Sequence, residues 1–520
     1  MPGAAIARAG AVLRAGAGRP GGGHGLAAGG RRGEGRAGRG RLRGALRLAD
    51  GPRLPDAGRR GFHAVPVRRR RDRGAGRRGR RRAGAIPGLW RLLRAGRGVR
   101  RVRRGGGRAD RAPHGVSHVF WRTQLTKQAP LAVIAGAGVA GLACAWWLTG
   151  AGWRVVLAER APHLRDGGYM MGLSGPGLYT VRKMGLVPAL REVEREIGEN
   201  VYRDRKGREI LRLRYRDLLA QIDWITLRRT DLVRVLHEAV RDRCELRLSC
   251  TVADAVQDAQ GVDVTLSDGT ALRAELLIGA DGVRSALRDR VFGAASAAAG
   301  ADPRLEPLGY RYAAYEVDNA AGLARDFVSY ATVGHQVEYH GLGDGRMAAL
   351  HVWRSVESGA VPAPQRRAML EALAAGTHPE VARNLARLPA DAPIVMDDLA
   401  MVDMPRWHAG RILLAGDAAH SLSLISGQGA GMALASAAVL AQTLAQAPLA
   451  QALQAHDARL RPIIARLQTR SRQLAPVYVP ASAWSFALRN AAMRWLPQVL
   501  LKRYFLSGLK SEHEAAQALA

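Results

Sequence analysis

Leu131-Ala-Val-Ile-Ala-Gly136-Ala-Gly138-Val-Ala-Gly141 is the stretch on which the fold turns. Its first five residues are apolar and read as a short buried parallel strand. Three glycines follow in GxGxxG spacing, then an uncharged helical run from Leu142 to Leu148, broken by Gly150 and Gly152. Arg154-Val-Val-Leu-Ala158 is a second strand, ending at Glu159. Strand, glycine turn, helix, strand and terminal acid in that order form the unit that holds a dinucleotide. Gly136 permits the tight turn. Gly138 lets the backbone approach a pyrophosphate, and Gly141 lets the helix pack close to the strand. The helix start offers unpaired N–H groups and the positive end of its dipole. Glu159 is placed to accept hydrogen bonds from a ribose diol, with Arg160 beside it as a further candidate cofactor residue. Leu131 to Trp153 is also uncharged and long enough to span a bilayer. Its glycines cluster at turn positions instead of along one helical face, which excludes that reading. The terminal acid favours FAD or NAD over NADP.

Two further segments carry cofactor chemistry. Leu276-Leu-Ile-Gly-Ala-Asp281-Gly282-Val-Arg-Ser285 follows two alternating runs, Leu246 to Val252 and Val262 to Leu266, the second closed by a turn at Ser267-Asp-Gly269. Arg411-Ile-Leu-Leu-Ala-Gly416-Asp417-Ala-Ala-His420 precedes Gly427-Gln-Gly429-Ala-Gly431 and a long apolar helix. Gly416-Asp417 sits at the carboxyl end of a buried strand, where open α/β sheets bind ligands. Asp417 suits the hydroxyls of a ribityl chain. A helix opening at Gly427 to Gly431, aimed at a flavin pyrimidine, stabilises the negative charge of the reduced ring.

Together the three motifs resemble the class A flavin monooxygenases, the p-hydroxybenzoate hydroxylase family, from about Pro130 to about Gln473. The resemblance implies FAD contacts at Gly136, Gly138, Gly141 and Glu159, at Asp281 and Gly282, and at Gly416 and Asp417. Arg229-Thr-Asp-Leu232 resembles the family's RxDL segment, which implies that Arg229 lies near the flavin. Gly167-Gly-Tyr-Met170 and Met184-Gly-Leu186 look closest to the branch that includes tetracycline-inactivating monooxygenases. The chain departs from many relatives at Leu424, where they carry proline, and at Ala435-Ser436, where they carry an acidic pair. The implied cycle is reduction of FAD by NADPH or NADH, then reaction with molecular oxygen to a flavin 4a-hydroperoxide. That species hydroxylates an aromatic or polyketide-like small molecule. The alternative is a reductase or dehydrogenase of the same fold without oxygen insertion. A flavin halogenase is disfavoured by the absence of a WxWxIP segment.

Composition bounds the rest. Of the formal net charge of +35, residues 1–115 carry +27, from 32 arginines and five acids. That segment has no Ser, Thr, Asn, Gln, Tyr or Lys. Its narrow alphabet reads as a disordered arm over 1–117 or an over-long open reading frame in a GC-rich gene, and the second is favoured. It lacks the interleaved aromatics of a nucleic-acid binder, so no nucleic-acid partner is expected. Three scattered cysteines form no CxxC pair or metal pattern and point to a reducing, cytoplasmic setting.

The expected fold is α/β: a Rossmann-type FAD-binding domain over 128–305 and 395–475, an inserted antiparallel β-sheet substrate domain over 306–394, and C-terminal helices over 476–520. Tyr310 to Trp353 alternates as strands do; the resemblance implies that this sheet roofs the substrate pocket with aromatics for a planar substrate, while strand propensity alone accounts for any individual Tyr or Trp. His335, His340, His351 and His420 show no metal-ligand spacing, and no residue is assigned as a nucleophile or catalytic base. Trp484 to Phe505 mixes aromatics with Arg and Lys, interrupted by Pro497. It suits two short packed helices, or peripheral contact with a membrane.

A chain that starts at Ser117 is expected to bind FAD as the full chain does. Loss of flavin binding or of folding on that truncation alone would defeat the reading of 1–117.

Overall fold

The first strand, β1 (Leu131–Ala135), is buried at all five positions. It is the centre of a sheet whose spatial order is His408–Ala409, Ile412–Leu414, Leu276–Gly279, β1, β2 (Arg154–Ala158) and Glu245–Arg247. All neighbours are parallel except the hairpin of His408–Ala409 with Ile412–Leu414. Alternate residues serve two cores. Ala132, Ile134, Leu157, Ile278 and Leu413 pack under helices, among them α1 (Val139–Gly150) and the helix Gly429–Gln446. Leu131, Val133, Val156, Leu277 and Ile412 pack on a three-stranded antiparallel sheet, Val252–Gln257, Val262–Leu266 and Ala271–Ala274. Burial on both faces is why these strands are uninterrupted apolar runs. The computed structural model describes residues 129–164, 169–215, 217, 223–298, 304–495 and 519. The expected arm over 1–117, residues 167 and 168 of the Gly167-Gly-Tyr-Met170 segment, and the stretch from Leu496 to Phe505 lie outside them.

The run Leu246 to Val252, expected as one strand, is two. Ser249 takes a left-handed backbone, φ +51°, and breaks it. Glu245–Arg247 therefore ends on the parallel sheet, and Val252–Gln257 begins the antiparallel one.

The second large sheet has seven strands in the order Val395–Asp403, Arg304–Asp318, Arg346–Arg354, His335–Gly341, Phe327–Thr332, Glu199–Arg203 and Glu209–Arg214. It is wider than the segment 306–394: two strands come from before it, and one from its far end. Phe327–Thr332 joins Glu199–Arg203 in parallel, and every other pair is antiparallel. One face carries Tyr315, Val337, Tyr339 and Trp353 against the helices Ala363–Ala374 and Pro379–Ala386. The opposite face is turned to a cavity. The final described helix, Ala483–Trp495, leaves Trp484 69% and Trp495 80% exposed, so it is not simply a buried packing helix. No helix among the described residues is long and apolar enough to cross a membrane.

Several histidines are buried in these cores. Burial lowers His335, His340 and His420 to about 4 and His456 to about 3, and holds His351 well below its ordinary value. The folded state keeps them neutral, while the unfolded chain protonates each near 6.5. Stability is thus fully present above pH about 6.5 and falls as the pH drops from there toward 4. The slope is about 1.4 kcal/mol per pH unit for each histidine. Urea midpoints should be level above neutrality and decline steadily through pH 6 and 5. A midpoint that does not change over that range would show that these rings are not buried neutral.

Candidate cofactor and substrate site

The parallel register brings three turns to one edge of the sheet. Ala135 lies opposite Gly279, and Gly279 opposite Leu414. The glycine turn after β1, Asp281-Gly282 and Gly416-Asp417 therefore emerge side by side. Gly136 has φ +101°, and its N–H donates to Ala158 O at 2.7 Å. A Cβ there would stand 2.5 Å from Ala280 O. Gly416, φ +60°, is as tightly placed: its Cβ would be 2.7 Å from Ala140 Cβ. A Cβ on Gly141 would be driven to 1.9 Å from Gly136 O. At Gly138 and Gly282, by contrast, a Cβ would meet no protein atom within 4 Å. Those two positions line a cavity of about 590 Å³.

Arg229, Asp417, Gly427 and Gly429 line the same cavity. Gly136, Gly141 and Gly416 stand behind the lining and hold its backbone together. Asp281 is also set back: its Oδ2 accepts from Leu287 N at 3.2 Å, while its Oδ1 is buried with no partner. Glu159 is engaged with the backbone. Its Oε2 accepts from Ala137 N at 2.8 Å and its Oε1 from Ala161 N at 2.9 Å, which ties the glycine turn to the end of β2. Each oxygen keeps a second lone pair for a hydroxyl. Arg160 is exposed and, like Glu159, stands outside the cavity lining.

Asp417 sits under the start of the helix Gly429–Gln446, where a Cβ on Gly429 would lie 3.6 Å from its Oδ1. No side chain caps that helix or α1, so their first-turn N–H groups are free of side-chain acceptors. Burial raises the Asp417 pKa, and the charge of Arg229 opposes the rise. Arg229 is itself held above its ordinary value, chiefly by Tyr169 against the cost of burial, then by Asp417 and Tyr312. Between the two motif segments, Ser423 adopts φ +66°, ψ 151°, a strained conformation for a residue with a Cβ, and it too lines the cavity. Its carbonyl accepts from Ser426 Oγ at 2.9 Å, and Leu424–Ser426 closes a 3₁₀ turn where relatives carry proline. Ser436, at the other departure, is buried with its hydroxyl 3.0 Å from His456 Nε2. His420 packs edge-on against Trp407, 4.9 Å between centroids, and does not reach the cavity.

The motifs do not contain the other wall. Tyr202, Leu213, Tyr215, Tyr312, Gln336, Glu338 and Leu350 line it from the seven-stranded sheet. Tyr478, Arg489 and Met493 line it from the last two helices. The sequence signal for this set is the alternation from Tyr310 to Trp353, which carries Tyr312, Gln336, Glu338 and Leu350, while Tyr202, Leu213 and Tyr215 fall outside it. An ionic cluster, buried at Asp398 and Arg311 and open to solvent at Arg284, fastens this wall to the Asp281-Gly282 turn. Arg284 donates to Asp397 Oδ1 and Asp398 Oδ2, both at 2.9 Å, and Arg311 donates to Asp398 Oδ1 at 3.1 Å. Among the described residues no group of three or more His, Cys, Asp or Glu could hold a metal ion.

The open face of Gly138, the uncapped helix starts, the orphaned Asp281 Oδ1 and the cavity-facing Asp417 suit an elongated ligand with phosphates and hydroxyls, as FAD is. The family described as FAD binding domain matches residues 130–461. A flavin-dependent monooxygenase from an unknown prokaryotic organism is 30% identical over 335 residues, 62% of this chain and 82% of its own. The chain belongs to the FAD-dependent monooxygenases. Another member of this family, the aurachin C monooxygenase/isomerase of Stigmatella aurantiaca, is 30% identical over 330 residues, 63% of this chain and 84% of its own. The fold is shared with Klebsiella pneumoniae HpxO complexed with FAD and uric acid, at TM-score 0.64 and 22% identity over 74% of this chain and 98% of that one. It is shared as well with the tetracycline destructase Tet(55), at TM-score 0.62 and 24% identity over 74% and 97%. These family members are flavin oxidoreductases, and so is this chain.

The glycines divide by role. Gly136→Ala adds both backbone strain and a clash with Ala280 O, and is expected to cost roughly 2–4 kcal/mol of stability. Gly138→Ala should leave the melting temperature within a degree or two and weaken FAD binding about tenfold or more. Thermal melts of the two proteins stripped of flavin, beside FAD titrations, separate the effects. A Gly138→Ala protein with wild-type FAD affinity would remove that turn from the phosphate site.

Proposed function

We propose that this flavoenzyme uses NADPH or NADH and molecular oxygen to hydroxylate an aromatic or polyketide-like small molecule. The observation that carries the reading is the continuity of one cavity. It runs from Gly138 and Asp417, with the start of the Gly429 helix, to a sheet wall rich in tyrosine and leucine. A cofactor site that opens directly into a roomy, largely apolar chamber suits transfer of an atom to a second molecule.

The residues divide the work. The Gly138 turn and the first N–H groups of α1 receive the pyrophosphate. Glu159 offers its remaining lone pairs to the adenosine ribose, and Asp417 accepts from the ribityl hydroxyls. Asp281 Oδ1 provides one further acceptor. FAD held there would supply the redox chemistry, a two-electron exchange between NAD(P)H and O2 in which one oxygen atom goes to the substrate and the other to water. The N–H groups at Gly429 and Ala430, with the helix dipole behind them, favour negative charge on the pyrimidine side. Leu350, Leu424, Ile425 and Leu474 keep water from the chamber. No protein nucleophile is needed, in keeping with the lining.

Anaerobic NADPH or NADH should bleach the bound flavin, and 18O2 supplied afterwards should label a hydroxylated product from a panel of phenols, naphthols and quinolones. Quantitative release of hydrogen peroxide with every member of the panel, and no labelled product, would favour a reductase.

A further inference from the structure

The cavity wall contributed by His335–Gly341 holds a carboxyl group that cofactor binding does not use. Side chains alternate along this strand. His335, Val337 and Tyr339 are buried, with Val337 and Tyr339 in the core beneath the sheet, while Gln336 and Glu338 face the cavity. Leu213, Leu350, Leu474 and Val477 make much of the same lining apolar. A carboxyl group in such surroundings is costly unless it is well bonded. Glu338 has no cationic partner among the described residues. Its Oε1 accepts from Gln336 Nε2 at 2.9 Å and from the Tyr478 hydroxyl at 2.9 Å. Its Oε2 has no hydrogen-bond partner among the described residues, and it is not sealed in protein, because its open side is the cavity.

The neighbours make this oxygen an acceptor with a fixed direction. Burial, and after it the Glu338 charge, holds the Tyr202, Tyr215 and Tyr478 hydroxyls above their ordinary pKa, so the phenols stay protonated. Arg489 also lines the cavity, but it donates to Tyr478 O at 3.0 Å and to Asn490 Oδ1, and it does not neutralise Glu338. Burial raises the Glu338 pKa, and the two donors on Oε1 oppose that rise. Tyr478 thus bonds the carboxyl through its side chain and the guanidinium through its backbone, keeping the two apart. A pocket with one oriented acceptor in an apolar wall discriminates strongly, because an analogue that cannot donate leaves the acceptor buried and unpaired.

We propose that Glu338 Oε2 accepts a hydrogen bond from an N–H or O–H group on the ring of a planar, largely apolar substrate, and so decides which ring edge is turned toward the cofactor side of the cavity. This rests on reading the cavity as the substrate chamber of an oxygenase. Glu338 is a specificity residue here, positioned by Gln336 and Tyr478.

Two matched pairs of probes test it: 1-naphthol against 1-methoxynaphthalene, and 4(1H)-quinolone against its N-methyl derivative. Binding to the FAD-loaded enzyme is read from the perturbed flavin absorbance. The wild-type enzyme should bind the donor member of at least one pair about tenfold or more tightly than its methylated partner. Glu338→Ala should bring that ratio to within about twofold, with FAD content and melting temperature retained. Tyr478→Phe, which frees the carboxyl to swing while keeping the ring, should lower the ratio part-way and serves if the alanine variant does not fold. Equal affinities in both pairs, no binding of any of the four, or an undiminished ratio in a folded Glu338→Ala or Tyr478→Phe protein overturns the proposal. Its failure is distinct from failure of the oxygenase reading. Labelled product with equal binding of both members sinks Glu338 alone, and donor preference with no labelled product sinks the oxygenase alone.

Discussion

Close approach of glycine backbone to its neighbours at the carboxyl edge of the parallel sheet is the constraint on which the site depends. Gly136 lies against Ala280, and Gly416 lies against Ala140, each at a separation that a Cβ would abolish. A third such contact, Gly177 against Gly431 Cα at 2.6 Å from its would-be Cβ, holds the Gly429 helix in place. Without these contacts the three turns would stand several ångströms further apart, and one ligand would not span them. The small residues of α1 and of the Gly429 helix serve the same end, since two alanine-rich surfaces let helix axes pack near one another.

The cavity lies between two sheets that solve burial differently. The parallel sheet is covered on both faces, and its central strands spend their side chains on packing. The seven-stranded sheet gives one face to a hydrophobic core and the other to the chamber, which frees alternate positions for recognition. The Arg284, Asp397, Asp398 and Arg311 cluster joins the two halves. Its buried pair, Arg311 with Asp398, contributes little net stability when complete and is costly when one member is lost. Its effect here is to fix the angle between cofactor edge and substrate wall.

Legibility in the sequence followed the range of the interactions. The glycine turn, Asp281-Gly282 and Gly416-Asp417 could be read because each is a contiguous segment whose local conformation requires those residues. The four central strands of the second sheet were visible in the alternation from Tyr310 to Trp353. Its outer hairpin, Glu199–Arg203 with Glu209–Arg214, was not, because it enters the sheet only through Phe327–Thr332, more than a hundred residues away. Ser249 carries no turn signature, so the break it makes was hidden. Tyr478 and Arg489 occupy ordinary helical sequence and acquire a role only through the fold.

The strand order also dictates when the molecule can become itself during synthesis. The parallel sheet begins in the sequence at residue 131, yet Ile412–Leu414 supplies its neighbour beyond Leu276–Gly279, and Val395–Asp403 supplies the edge of the second sheet. Loop closure over such spans must be met before any pairing repays it. A nascent chain leaving the ribosome thus carries an exposed apolar strand edge at Leu276–Gly279 for well over a hundred residues of translation. The flavin site, in this sense, does not exist until the chain has been made past Gly429.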